Sequence, residues 1–409
     1  MAVAAVGVTY LSTAPRAASL LPTVTWAGPS TLSELHHRRQ PVRLVGSPTT
    51  TLWRTANWTL AHVASHLPPQ VRVQHSRTGV FRHYDPSLEL AHRYPPDAAT
   101  QVHPRSAVAA LLSTPAEGGY YLHDELRVLA PGLAHDVVAA PFVPAGQAHS
   151  AMTKLWLGGA GVMANLHYDA THNVFHQVTG TKRFLLFPPA AYAGLALYSR
   201  LHPHHRQSRL DLSQPRAALV AAFPAFATVA DTMVDVTLAA GDTMYLPPFW
   251  FHCVVTTEPS VSVNVWTDAE DVALLAAALA DPVPYLAPLE AAGVVHDLDS
   301  HLAHLARFVG LVLARALPAP ATVLRQMPVL LPPADVPCGA LASTAAADAT
   351  LEPFATALVA GSFLRMADAS ARALLAVSYA EALTAQFMAP EAVGTFLRYC
   401  VAPAVDAEG

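Results

Sequence analysis

"NLHYDATHNVFHQVTGTKRFLLFPP" (residues 165–189) is the stretch on which the reading of this chain turns. His167 and Asp169 lead into an apolar strand, a bend at Thr179-Gly180 and a second strand. On an extended chain, residues two apart project from one face, so this pair could hold a single ion. The same spacing recurs at His83/Asp85 in "FRHYDPS" (81–87) and at His123/Glu125 in "YYLHDEL" (120–126). His83/Asp85 runs into Pro86 with no strong strand beyond it, and His123/Glu125 reads as a turn or helix start. Only His167/Asp169 has a downstream match, "GDTMYLPPFWFHCVV" (241–255), which brings His252 83 residues after Asp169. A turn at Gly241-Asp242 would let the following strand present His252 to a barrel interior. Two imidazoles and one carboxylate on one face form the facial triad of non-haem Fe(II) oxygenases.

Around this stretch the strand signal dominates from 154 to 266. "KLWLGG", "NVFHQVTG", "TKRFLLFPP", "VDVTLAAGD", "TMYLPPFWFHCVV" and "SVSVNVW" are separated by Gly, Asp and Pro turns, as in a sandwich or barrel. Upstream, "PVRLVG" and "VRVQHSRTGVF" read as strands, with a helical "WTLAHVASHL" between them. Downstream, "DAEDVALLAAALADP", "HLAHLARFVGLVLARAL" and "SARALLAVSYAEALTAQFM" carry apolar residues at helical spacing. The alanine-rich "LASTAAADAT" reads as a loop or linker. The expected fold is mainly β with a double-stranded β-helix (jelly-roll) core and a helical C-terminal region. The expected divisions are a leader over 1–40, packing strands and helices over 41–120, the core over 121–268 and helices over 269–409.

Composition narrows the function classes. Hydrophobic residues make up 53% of the 409 and charged residues 13%, which excludes a disordered chain. A net charge of −5 provides no basic field for nonspecific nucleic-acid binding. No run of about 18 apolar residues predicts a membrane span. Cys253, Cys338 and Cys400 are too few and too scattered for a disulfide framework or a cysteine zinc site, so a reducing compartment is expected, cytoplasmic or nuclear. The first acidic residue is Glu34, and the leader before it reads either as an organellar transit peptide or as a plain leader. "LHPHHRQ" (201–207), with His202, His204 and His205, reads as a surface loop rather than a zinc site.

A site of this kind that uses 2-oxoglutarate must neutralise the distal carboxylate of that co-substrate. Lys182 is placed to do so, with Arg183 facing the other way, although "TKR" also reads as exposed hairpin charges. Asn173 and Asn264 are amides inside apolar strands, satisfied either by a ligand or by a structural hydrogen bond. Tyr121 reads either as a ligand contact or as a packing residue.

Taken in order, "HYDATHNVFHQVTGTKRFLLFPP", "HRQSRLDL", "AAGDTMYLPPFWFHCVV" and "VNVW" resemble the JmjC/cupin 2-oxoglutarate oxygenases, over roughly residues 40–270. The likeness is greatest to the asparaginyl hydroxylases that act on hypoxia-inducible factor, with the tRNA wybutosine hydroxylases second. The resemblance implies iron ligation by His167, Asp169 and His252. It also implies 2-oxoglutarate contacts from Lys182, Tyr121, Asn173 and Asn264. Tyr84, His123, Arg206, Gln207 and Trp266 match substrate-side positions. Ala164, His123 and Cys253 depart from the pattern, which bears on substrate rather than chemistry. The implied activity is Fe(II)- and O2-dependent hydroxylation coupled to conversion of 2-oxoglutarate to succinate and CO2. A protein side chain is the expected substrate. A modified tRNA base, a histone lysine undergoing demethylation, and a non-catalytic cupin-like binding role are the alternatives. The C-terminal helices could form a homodimer interface or cap the barrel.

Overall fold

A computed structural model describes residues 21–114, 118–340 and 344–406, and these divide into two units. The first comprises residues up to His83, Pro96–Leu195 and Gln207–Ala269, and it holds every strand. In chain order these are β1 (Thr23–Thr25), β2 (Val42–Val45), β3 (Gln70–Ser76), β4 (Val80–Phe81), β5 (Ala99–Pro104), β6 (Gly119–Glu125) and β7 (Met152–Gly158). There follow β8 (Met163–Tyr168), β9 (Thr171–Thr179), β10 (Lys182–Phe187), β11 (Val234–Leu238), β12 (Thr243–Leu246), β13 (Phe251–Thr256) and β14 (Ser260–Asp268). They form a nine-stranded sheet, β1-β2-β12-β9-β14-β7-β6-β3-β5, and a five-stranded sheet, β11-β10-β13-β8-β4. Over β7–β10 and again over β11–β14 consecutive strands alternate between the two sheets, as the jelly-roll expectation requires.

Strand periodicity sorts the residues of the larger sheet onto two faces. Val174 and Val178 of β9, Val261, Val263 and Val265 of β14, and Leu155 and Leu157 of β7 pack with Val63 and Val108 of two preceding helices and with Trp53 and Trp58 of the loops before the first of these helices. The opposite register of β9, β10 and β12 supplies Phe175, Phe184, Leu186, Met244 and Leu246 to a second core cluster. On β7, β9 and β14 the same face also carries Lys154, Trp156, Asn173, Asn264 and Trp266, a polar and aromatic run between apolar neighbours.

Several expectations are corrected. Residues 21–38 of the expected leader are folded, with β1 pairing in parallel with β2 and a helix at Pro29–Arg38; residues 1–20 lie outside the described residues. His123/Glu125 lies on strand β6, paired with β7; only Glu125, the N-cap of a short helix at Leu126–Leu129, stands at a helix start. β8 carries His167 although no strand is expected there, and Asp169 falls just past its end. His252 is not on the strand following the Gly241 turn. β12 intervenes in the larger sheet, and a second turn passes the chain to β13 in the smaller one.

The second unit comprises Tyr84–Pro95, Ala196–Arg206 and residues from Glu270 onward. Its main helices are Glu270–Ala280, Leu298–Ala316, Thr344–Gly361 and Ala369–Thr384. The third of these contains most of the stretch expected to be a linker, of which residues 341–343 lie outside the described residues. Cys338 and Cys400, 62 residues apart, are joined by a disulfide, which removes the basis for expecting a reducing compartment. The 201–204 segment is buried rather than a surface loop. The His202 ring lies between Tyr94 and Tyr198 at centroid distances of 4.2 and 4.3 Å. Among the described residues, no helix is long and apolar enough to cross a membrane.

Candidate metal centre

β8 and β13 are antiparallel neighbours with His167 directly opposite His252, so both imidazoles leave the same face of the smaller sheet. Their ring centroids are 4.1 Å apart. Asp169 joins them from the turn after β8, and the three side chains offer ligand atoms within 4.8 Å of one another. No other group of three or more His, Cys, Asp or Glu side chains meets that condition among the described residues.

The tautomers follow from hydrogen bonding. His167 Nδ1 lies 2.6 Å from the Asn165 carbonyl oxygen, and His252 Nδ1 lies 3.0 Å from that of Trp250. A carbonyl only accepts, so each Nδ1 carries a proton, and Nε2 is the nitrogen left to offer a lone pair to a metal. Burial, followed by the nearness of His167, pushes the His252 pKa down to about 4, which keeps that ring neutral. Its Nε2 lies 3.6 Å from Asp169 Oδ2, too far for a hydrogen bond. Two Nε2 lone pairs and a carboxylate that face one another without bonding fit a divalent first-row metal ion.

The turn between β12 and β13 locks this geometry. Phe249 has a left-handed φ of 66°, and its N–H donates to the Asp169 carbonyl at 2.8 Å. That bond ties the turn preceding His252 to the turn bearing Asp169. A non-glycine residue held at positive φ beside two ligands is strain maintained by its surroundings; the Phe249 ring is buried. The sequence gives no signal for it.

Lys182 starts β10 and is 1% exposed, so its ammonium is not an exposed hairpin charge. Nζ lies 5.5 Å from the centroid of the Phe175 ring and 5.9 Å from that of Tyr121. No carboxylate pairs with it among the described residues, and burial alone lowers its pKa to about 7. Arg183 projects the other way and donates from Nε to Asp235 at 2.8 Å. Tyr121 is buried and its hydroxyl pKa is raised by that burial. Asn264 donates to the Asn173 side-chain oxygen at 3.0 Å and accepts from Trp156 Nε1 at 2.8 Å, so these amides form a structural network.

The expected substrate-side residues separate. His123 stacks on Trp156 at 4.5 Å, and its pKa is lowered to about 3 by burial first and then by Lys154, His83 and Lys182. Trp266 has a buried Nε1 with no acceptor. Gln207 is a structural clip. Its amide donates to the His83 carbonyl at 2.7 Å and accepts the His83 N–H at 3.1 Å, and its backbone bridges to His167. Tyr84 and Arg206 belong to the second unit, where the Tyr84 hydroxyl donates to the Ala91 carbonyl at 3.2 Å. Lys154 and Trp156 were not singled out from the sequence. Their signal is a lysine and a tryptophan on the same face of the apolar strand "KLWLGG".

The chain is similar in sequence to several known proteins. Jumonji C domain-containing protein 5 of Drosophila melanogaster is 36% identical over 115 residues, covering 28% of this chain and 27% of that protein. Lysine-specific demethylase JMJ31 of Arabidopsis thaliana is 30% identical over 145 residues, covering 35% of this chain and 25% of its own length. tRNA wybutosine-synthesizing protein 5 of Gallus gallus is 30% identical over 142 residues, covering 35% of this chain and 41% of that protein. The chain thus spans between a quarter and under half of the length of these curated relatives. The pattern described as a cupin-like domain matches residues 32–272, more than half of the 409, and the protein belongs to that family.

Proposed function

We propose that the protein is an Fe(II)/2-oxoglutarate-dependent hydroxylase acting on a protein side chain, with His167, Asp169 and His252 as iron ligands. The observation that carries this reading is the pairing of the open triad with Lys182, a buried cation that lacks a counter-charge. When bound, Fe(II) and 2-oxoglutarate together supply the O2-dependent oxidation of an unactivated C–H bond, with release of succinate and CO2. His167 and His252 hold the metal through Nε2 while their Nδ1 protons remain on backbone carbonyls. Lys182 neutralises the distal carboxylate of the co-substrate, a pairing that also restores the lysine's full charge. Tyr121, whose ring lies beside Lys182, would be a further contact for the co-substrate, as would Asn173 and Asn264, which are held by hydrogen bonds to each other and to Trp156. The resemblance of the motifs to asparaginyl hydroxylases supports a protein side chain as substrate, and the acidic balance of the chain disfavours a tRNA base.

The test is succinate formation from 2-oxoglutarate with Fe(II) and ascorbate. Wild type should turn over, and Asp169→Ala should lose at least about a hundredfold in rate together with its metal affinity. Metal uptake without turnover on any peptide or RNA would favour a binding protein. Wild type that binds no Fe(II) would sink the enzyme reading.

A further inference from the structure

Lys154 lies in the middle of β7, opposite Asn264 of β14 on one side and Glu125 of β6 on the other. Directly opposed residues share a face, so Lys154 projects with Asn264, Trp266, Trp156 and His123 toward the metal side chains. Its ammonium does not pair with Glu125. Nζ sits 4.5 Å from the Trp266 ring centroid and 5.8 Å from that of Trp156, with no carboxylate in ion-pair contact among the described residues. Burial lowers the Lys154 pKa, and the charges of Asp169, then Asp124 and Glu125, oppose that. The negative face of an aromatic ring attracts the cation without neutralising its charge. The neighbouring Trp266 Nε1 also lacks an acceptor.

Charge counting gives Lys154 a task. Lys154 and Lys182 contribute two positive charges and Asp169 one negative. A divalent metal and a dicarboxylate cancel each other, and Lys182 answers the co-substrate. Among these five groups one positive charge remains, on Lys154; Asp124 and Glu125 also act on it, but neither forms an ion pair with it. A lysine side chain entering there would bring its ammonium toward a like charge. The nearby charges of Asp124 and Glu125 oppose a polyphosphate more strongly than a single carboxylate.

We propose that Lys154 is a specificity-determining residue that takes the carboxylate of an acidic side chain and excludes lysine. The proposal rests on the iron/2-oxoglutarate reading of the site. It also separates this protein from the activity named for its demethylase relative.

The experiment uses the full chain loaded with Mn(II) and 2-oxoglutarate, and decapeptides identical except for a central Asp, Asn or Lys. Affinities are read by calorimetry and by the fluorescence of Trp156 and Trp266. Wild type should bind the Asp peptide about tenfold tighter than the Lys peptide, the worth of one hydrogen bond to a charged group. Lys154→Met should lose that tenfold for Asp and leave Asn unchanged, and Lys154→Glu should invert the order. Equal Asp affinity in wild type and Lys154→Met, or a preference of wild type for Lys, would overturn the proposal. So would a fall in 2-oxoglutarate affinity in Lys154→Met, which would assign Lys154 to the co-substrate. Wild type that binds neither Mn(II) nor 2-oxoglutarate refutes the site reading itself, and that measurement involves no peptide.

Discussion

Lys182 is the side chain at which charge and burial conflict most openly. It is 1% exposed, and its pKa is lowered from 10.5 to about 7 by burial. Between those values the unfolded chain binds a proton that the folded chain does not. The sign of linkage then makes the ligand-free protein gain stability from this group as pH rises from about 7 to about 10.5, with the full penalty present below about 7. Urea unfolding at pH 6.5 and pH 9 should show this gain in wild type and not in Lys182→Met. The variant should be the more stable protein at pH 6.5 and should bind 2-oxoglutarate at least about tenfold more weakly. A wild type whose pH dependence matched that of the variant would refute the unpaired state of Lys182. The convergence of His167, Asp169 and His252 was legible in the sequence because those residue types stand at telling intervals along it. Lys154 was not, because its relation to Trp266 exists only through the pairing of β7 with β14. Gln207 misled for the converse reason: its amide is taken up by the His83 backbone, a partner 124 residues away.

The β9–β10 hairpin positions Asn173 at one end of its strands and Lys182 at the other, and Gly180 makes the bend. Gly180 has φ +73°, and a Cβ there would sit 2.3 Å from the Pro259 carbonyl oxygen. Gly180→Ala combines left-handed strain with a backbone clash, so a loss of about 2–4 kcal/mol is expected in urea denaturation. A change below about 0.5 kcal/mol, within the range of ordinary surface substitutions, would contradict this account of the hairpin. This turn was readable because Thr-Gly between two apolar runs is a local signal. β8 was passed over although Ala164-Asn165-Leu166-His167-Tyr168 alternates apolar and polar residues, because its six residues are too short to stand out beside the long apolar run of β9. The helix at Thr344–Gly361 was missed for a different reason: its alanines give helix propensity but no amphipathic stripe, and a run of small residues reads as a linker.

Both units draw on segments far apart in sequence, which no local pattern announces. Residues 84–95 and 196–206 leave the strand-bearing unit and are grouped with the C-terminal helices. Buried Glu381 accepts the Arg200 N–H at 2.8 Å, and Glu391 pairs with His92 at 3.1 Å. Within this unit the Cys338–Cys400 disulfide closes a loop of 62 residues. On the chain-entropy estimate such a closure contributes about 4 kcal/mol by restricting the unfolded chain. It lies outside the unit that holds the metal ligands, so reduction should act on stability and leave the metal centre alone. With dithiothreitol, or in a Cys338→Ser/Cys400→Ser variant, the melting transition of the helical unit should move down by several degrees. Fe(II) and 2-oxoglutarate affinity at 20 °C should stay within about twofold of wild type, less than one hydrogen bond's worth. Two resolved calorimetric transitions, only one of them sensitive to reduction, would establish the independence of the units. A single transition that shifts together with loss of metal binding would show instead that the helical unit holds the ligand-bearing strands in place.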